Sequence, residues 1–179
     1  LTAARHRLQH ALQRLLETIP APVLLTPMAK GLLPETHPCY AGVLFHACSD
    51  RLAPILHQAD LVIGIGYDPV EFDYEAWLPP APLVHLDTAP AELSPPFPPA
   101  TACVGDLGAA LDALTALPPR STAWDWEDLA RHRTALHRAL HPPADGLGPT
   151  EALDILRDVL PPEGILTCDV GAHTHLIGQ

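Results

Sequence analysis

Gly171, Ala172 and His173 lie where an apolar run gives way to a helical stretch, an order of residues suited to holding an anion. A glycine ahead of a helix start lets backbone N–H groups approach a negative group, with the helix dipole behind them. His173 could add a side-chain hydrogen bond, while His175 reads equally well as solvent-facing. The same residues could also form an ordinary strand-to-helix turn. A second set, Gly64 and Gly66 followed by Asp87, reproduces part of a dinucleotide pattern, in which glycines admit a pyrophosphate and an acid reads the ribose. No third glycine follows, since Pro69 and Val70 occupy that region, and the intervening segment is proline-rich. With Lys30 and Gly31 these residues outline a crevice that is vestigial, empty or merely structural.

Other groupings carry less chemistry. His6 with His10, and His137 with His141, are spaced four apart on expected helices, a separation able to chelate a divalent metal. No Glu or Cys stands at an obvious third ligand position, so these are read as solvated helix faces and no metal site is assigned. Asp68, Glu71 and Asp73 are read as turn and surface residues rather than as paired acid-base carboxylates. Trp77, Trp124 and Trp126 are read as core or interface anchors. No catalytic residue is assigned.

Composition bounds the setting of these groups. The formal charge is -11 and Lys30 is the only lysine, which excludes a nucleic-acid partner because phosphate binding draws on clustered cations. No apolar run approaches the roughly 20 residues of a membrane span, and no targeting signal opens the sequence. Cys39, Cys48, Cys103 and Cys168 form no Cys-x-x-Cys pair, and three of them lie in or beside apolar runs. Buried or partly buried free thiols and a cytoplasmic location are expected. Among 179 residues, 47% are hydrophobic, enough for one core with appendages. The 22 prolines gather in a few connecting stretches and mark loops.

The elements that must position the candidate groups follow from periodicity. Residues 2–18 place Leu8, Leu12, Leu15 and Leu16 at helical spacing. Residues 23–26 read as a short buried strand, followed by a long loop to residue 38. Ser49 and Asp50 can cap a helix to about Ala59. Residues 60–66 then form an apolar run suited to a strand covered on both faces. Residues 83–87 and 102–106 read as further strands, and residues 107–117 as an Ala/Leu-rich helix. Such alternation predicts an α/β fold, a Rossmann-like parallel sheet with flanking helices. A separate helix is expected from Trp124 to about His141. Thr150 can cap another to about Leu160, with Glu151 in its first turn, and a strand should begin at Ile165. Three units result: a central domain over 1–117, a linker with a helix over 118–148, and a partial second α/β segment over 149–179.

Several blocks in this order resemble the acetolactate synthase branch of the thiamine diphosphate enzymes. They are Pro22-Val-Leu-Leu-Thr26 with Ala29-Lys-Gly31 and His37-Pro38; the run 59–73 with Trp77; Val84-His-Leu-Asp87 with Ala91-Glu92; and Val104-Gly-Asp106. The block Gly66-Tyr-Asp-Pro-Val-Glu71 is the most specific and looks most like the catabolic, flavin-independent type. The resemblance implies a middle domain that spaces two cofactor-binding domains, followed by the start of the diphosphate-binding domain. The parent enzyme would use thiamine diphosphate and magnesium to decarboxylate a 2-oxo acid such as pyruvate and join the product to a second carbonyl; a plain 2-oxo acid decarboxylase or a glyoxylate carboligase is the alternative.

The resemblance further implies that Gly171, Ala172 and His173 face the cofactor diphosphate. The activating glutamate and the Gly-Asp-Gly metal motif of the family are not in the sequence, so the chain alone is expected to be inactive and to bind no cofactor. Middle domains of this family sometimes hold FAD on glycines after a His-Pro element; here Phe45 stands where a second glycine would be, and FAD is not expected. A stand-alone nucleotide-binding module is the rival reading. The first strand of the sheet is expected ahead of Leu1, and the partners expected are the other domains of the enzyme and further copies of it.

Overall fold

The computed structural model describes residues 1–45, 49–67, 79–90 and 99–179. Five short strands, β1 Val23–Leu25, β2 Tyr40–Val43, β3 Val62–Ile65, β4 Leu83–Asp87 and β5 Thr101–Val104, form parallel sheets with helices on both faces. The expected α/β architecture is therefore present. Its sheet comes in two pieces: β1 pairs with β2, and β3 pairs with β4, which pairs with β5. Registers run Val62↔Leu83 to Ile65↔Leu86 and Val84↔Thr101 to Asp87↔Val104. Among the described residues β1 and β3 are not hydrogen-bonded to each other.

The strand β2 was not anticipated, because Gly42 interrupts its apolar run and glycine weakens strand propensity. The register slips between Val23 and Leu24, so β2 carries an extra residue, and Gly42 takes φ +127°. A side chain there would meet Leu52 Cδ2 at 2.9 Å and Leu136 Cδ2 at 3.0 Å. Glycine thus lets two helices close onto the strand.

Those helices are α3 (Ser49–Leu56) and α5 (Trp126–Leu140). Leu129 packs with Ala41 and Ile55, and Leu136 with Leu44 and Leu52, all of them buried. His132 Nε2 lies 3.0 Å from the Ala41 carbonyl. The helix assigned from sequence to the linker therefore covers one face of β2.

The opposite face is covered by α2 (Gln9–Thr18) and α4 (Leu107–Thr115). Leu12, Leu15 and Leu16 of α2 join Leu107 and Leu111 of α4 over Leu25 and Leu86. Full burial of each such leucine is worth roughly 1.5–3 kcal/mol. Asp106 caps α4, its carboxylate accepting from the Ala109 N–H at 2.7 Å. The single helix expected over 2–18 is divided into α1 (Thr2–Arg5) and α2, because Arg7 adopts φ +54°. That turn brings both Ala3 and Leu8 into the core.

At the carboxyl end, α6 (Pro149–Val159) and α7 (Ala172–Gly178) bury none of their residues. The residue capping α6 is Gly148, whose N–H donates to the Glu151 carboxylate at 3.4 Å, while the Thr150 hydroxyl, expected to be the cap, donates instead to the Leu140 carbonyl. The strand expected from Ile165 does not form: residues 165–169 have no regular structure, and Ile165 and Val170 are exposed. A strand needs a neighbour for its backbone groups, and among the described residues none pairs with this segment.

The thiols also depart from expectation. Cys39 is buried, but Cys103 and Cys168 are exposed, and Cys48 falls outside the described residues. Cys103 belongs to β5, whose four residues are all exposed. No helix among the described residues is long and apolar enough to cross a membrane.

Candidate functional site

Parallel strands place their carboxyl ends, and the loops that follow, along one edge of the sheet, where ligand crevices of such folds form. After β1 the chain makes a 3-10 turn over Pro27–Ala29 and reaches Lys30 and Gly31. Gly31 takes φ +87° and faces open space. Lys30 does not: its ammonium donates to the Ile177 carbonyl at 3.0 Å and lies 3.8 Å from Glu35. Burial lowers its pKa, partly countered by the Glu35 carboxylate. Glu35 also receives Arg157 at 3.4 Å, so the loop after β1 holds both α6 and α7 through charged groups.

The end of β2 adds a second hold. Phe45 is buried, and its ring centroid lies 5.0 Å from that of His175. Gly178 lies against the same ring, where a side chain would meet Phe45 Cε1 at 2.8 Å. The Gln179 amide donates to the Phe45 carbonyl at 3.4 Å. The carboxyl end of α7 thus rests on Lys30 and Phe45, and its amino end points elsewhere.

Gly171, Ala172 and His173 occupy that other end. Gly171 has extended backbone that any residue adopts, and its missing side chain leaves room for the His173 imidazole, whose Cε1 would lie 2.8 Å from a Cβ at that position. Ala172 and His173 are exposed. Geometry leaves these residues accessible to an anion, but it does not bring them to Lys30, Gly31, Gly64, Gly66 or Asp87.

The partial dinucleotide pattern is filled by the protein itself. Gly66 takes φ +60°, and a side chain there would lie 2.7 Å from the Ala3 nitrogen, so α1 covers it. Gly64 gives space to Tyr67 and His85, at 3.5 and 3.6 Å from a built Cβ. Asp87 is buried, and its carboxylate accepts from the Thr88 N–H at 2.6 Å and the Thr88 hydroxyl at 3.3 Å. Asp68, Glu71, Asp73 and Trp77, with most of the block 66–71, lie outside the described residues.

Sequence reasoning passed over two groups. His85 is 1% exposed, with Nε2 2.9 Å from the Tyr67 carbonyl and Nδ1 lacking a partner among the described residues. The bond to the carbonyl fixes Nε2 as the protonated nitrogen. Its signal was period two: in β4 it shares the Leu83 and Asp87 face. Arg133 was the other, donating to the Glu35 carbonyl at 2.8 Å and the His37 carbonyl at 3.3 Å, which ties α5 to the loop after β1. Beside it burial, with Glu35 adding, pushes the Tyr40 phenol up to about 12.

Among the described residues no three His, Cys, Asp or Glu side chains gather as a metal site. The crevice joins parts of the protein to one another.

A family model described as the central domain of thiamine pyrophosphate enzymes matches residues 2–114. The chain is 31% identical over 178 residues to an acetolactate synthase large subunit of Parasynechococcus marenigrum, covering 91% of this chain and 28% of that protein. It is 30% identical over 167 residues to a Pseudomonas aeruginosa protein named "Probable 2-ketoarginine decarboxylase", covering 89% and 29%. Its fold matches that of a thiamine diphosphate-dependent 4-hydroxybenzoylformate decarboxylase of Rhodococcus jostii with a TM-score of 0.58, at 22% identity, over 92% of this chain and 31% of that one. The chain spans under a third of the length of the curated relatives it matches.

Proposed function

Because the chain belongs to the thiamine pyrophosphate enzyme family, as its central domain, we propose that it serves as the spacing domain of an acetolactate synthase-like carboligase. The observation that carries this reading is the 31% identity to an acetolactate synthase over 91% of the chain. The parent enzyme would decarboxylate a 2-oxo acid such as pyruvate and join the product to a second 2-oxo acid. Thiamine diphosphate, when bound, supplies the electron sink for the carbanion.

This chain's own residues would position. Lys30, Glu35 and Arg157 hold the helices after residue 149 against the central sheet. Gly171, Ala172 and His173, accessible at the start of α7, would contribute backbone N–H groups and an imidazole to a diphosphate oxygen. No residue is assigned to magnesium, since the described residues gather no ligand set for it. The Gly64, Gly66 and Asp87 crevice is structural in this reading, consistent with α1 against Gly66 and Thr88 on Asp87.

Assay of the full-length polypeptide carrying this chain, with thiamine diphosphate, magnesium and pyruvate, should yield acetolactate. The 179-residue chain under the same conditions should yield none. Release of aldehyde without carbon–carbon bond formation would favour a decarboxylase, the second reading, which the likeness to the Pseudomonas aeruginosa relative supports. Tight binding of FAD or NAD by the chain would replace the spacing role with nucleotide binding.

A further inference from the structure

Asp and Glu outnumber Lys and Arg by 21 to 10 along the chain, yet the loop after β1 gathers the opposite balance. Lys30 and Arg157 converge there on the Glu35 carboxylate, and Arg133 donates to the Glu35 carbonyl at 2.8 Å. The three cations come from the loop itself, from α5 and from α6, so the fold collects what the sequence scatters. Among the described residues neither Lys30 nor Arg157 has an ion pair with any other acid.

One carboxylate serves this cluster poorly. Lys30 Nζ stands 3.8 Å from Glu35 Oε1 and Arg157 stands 3.4 Å from Oε2, both longer than the roughly 2.7–2.9 Å of a well-made charge-assisted bond. The cations also feel one another. Burial lowers the Lys30 pKa, Glu35 opposes it, and Arg157 lowers it again as a neighbouring like charge does. At the Tyr40 phenol the fields of Glu35, Arg133 and Arg157 all act together, so these groups are close in space. The cluster is open as well: the Arg157 side chain is 68% exposed and bonds Glu35 through one nitrogen of its guanidinium.

We propose that this cluster is a binding site for a phosphoryl dianion, either free phosphate or the head of a phosphate monoester, held by Lys30 and Arg157 with Arg133 behind them. The charge matches, since three cations less the one carboxylate leave an excess of two. The shape matches too. Tetrahedral oxygens can meet an ammonium and a guanidinium at short range together, where the planar Glu35 carboxylate spans them only loosely. Lys30 also donates to the Ile177 carbonyl of α7, and Arg157 belongs to α6, so the bound anion ties both helices to the loop after β1. The site is separate from Gly171, Ala172 and His173 at the other end of α7, and it stands whether or not those residues meet a diphosphate.

Lys30 is the only lysine, so carbon-13-labelled lysine gives one ε-carbon NMR signal that reports the site directly. Inorganic phosphate added to the 179-residue chain, at fixed pH and with ionic strength held by sodium chloride, should move that signal along a saturating curve with its midpoint below about 10 mM. Amide exchange over residues 172–178 should slow with the same midpoint. Arg157→Gln, on an exposed helix face, should weaken binding by about tenfold or more. Glu35→Gln removes the competing charge and should tighten binding by about threefold or more. Arg14→Gln, at an ion pair with Asp112 elsewhere, should leave it unchanged. Glycerol 3-phosphate binding more tightly than phosphate would identify a monoester as the ligand, and the reverse order would identify free phosphate. A drift without saturation, a response that survives Arg157→Gln, weaker binding by Glu35→Gln, or tighter binding of malonate than of phosphate would each overturn the proposal.

Discussion

The β2 strand and the helix α6 have opposite fates although both are rich in apolar residues. All four residues of β2 are buried, between α3 and α5, whereas α6 buries none and leaves Ile155 and Val159 half to three-quarters exposed. Amphipathic periodicity forms a helix, but burial requires a second surface of matching shape. β2 finds that surface because Gly42 admits Leu52 and Leu136 at close range. α6 is held instead by polar contacts at its rim: Arg157 to Glu35, His141 to Asp154, and Thr150 to the Leu140 carbonyl.

The comparison predicts a graded response to substitution. Leu111→Ala, at a position with 0% exposure, should cost about 2–5 kcal/mol in urea unfolding. A cost below about 1 kcal/mol would show that the α2–α4 side is loosely packed. Gly42→Ala should cost about 1–3 kcal/mol, from the left-handed backbone angle together with the two leucine contacts. Repacking with Leu136→Val in the same chain should recover only the part owed to the Leu136 contact, because the Leu52 contact and the backbone strain remain.

A smaller effect should appear with pH at the α5–α6 junction. His141 Nδ1 lies 2.8 Å from the His137 carbonyl and Nε2 lies 2.9 Å from the Asp154 carboxylate, two acceptors that only an imidazolium satisfies together. The His137 carbonyl first, then Asp154, raise its pKa above the ordinary value, with burial opposing. A raised folded pKa makes the contribution to stability complete below about 6.5, and it is lost as pH rises through the folded value. NMR titration of the imidazole should place its midpoint above 6.5, and Asp154→Asn should lower it.

Lys30→Met should raise amide exchange over residues 172–178 while leaving the Leu111 core unaffected, since the Ile177 carbonyl loses its donor and Glu35 its ammonium neighbour, neither of them part of that core. The smallest response belongs to Val159→Ser, expected within about 0.5 kcal/mol of the original because that side chain is 71% exposed. A larger loss would place a packing partner on α6 and break the contrast with β2.

Much of the fold was legible in short sequence patterns. The runs at 60–66 and 83–87 gave β3 and β4, and the leucines of 2–18 gave α2, because burial on a fixed period leaves a fixed apolar spacing. β2 was not legible, since Gly42 breaks the run that would mark it. The extended segment after Ile165 misled for the opposite reason, an apolar run without a neighbour. At the candidate site, Lys30, Gly66 and Asp87 could be singled out by type, but their partners, Ile177, Ala3 and Thr88, could be assigned only in three dimensions.

By itself the sequence determined the α/β class, the parallel strands and the resemblance to thiamine diphosphate enzymes, all of which rest on local period and residue order. Only the tertiary structure decided that α5 covers β2, that α7 rests on Lys30 and Phe45, and that β1 and β3 line an apolar cavity. Those are relations between segments far apart in the chain, set by complementary shape and by backbone groups seeking partners, and no local pattern encodes them.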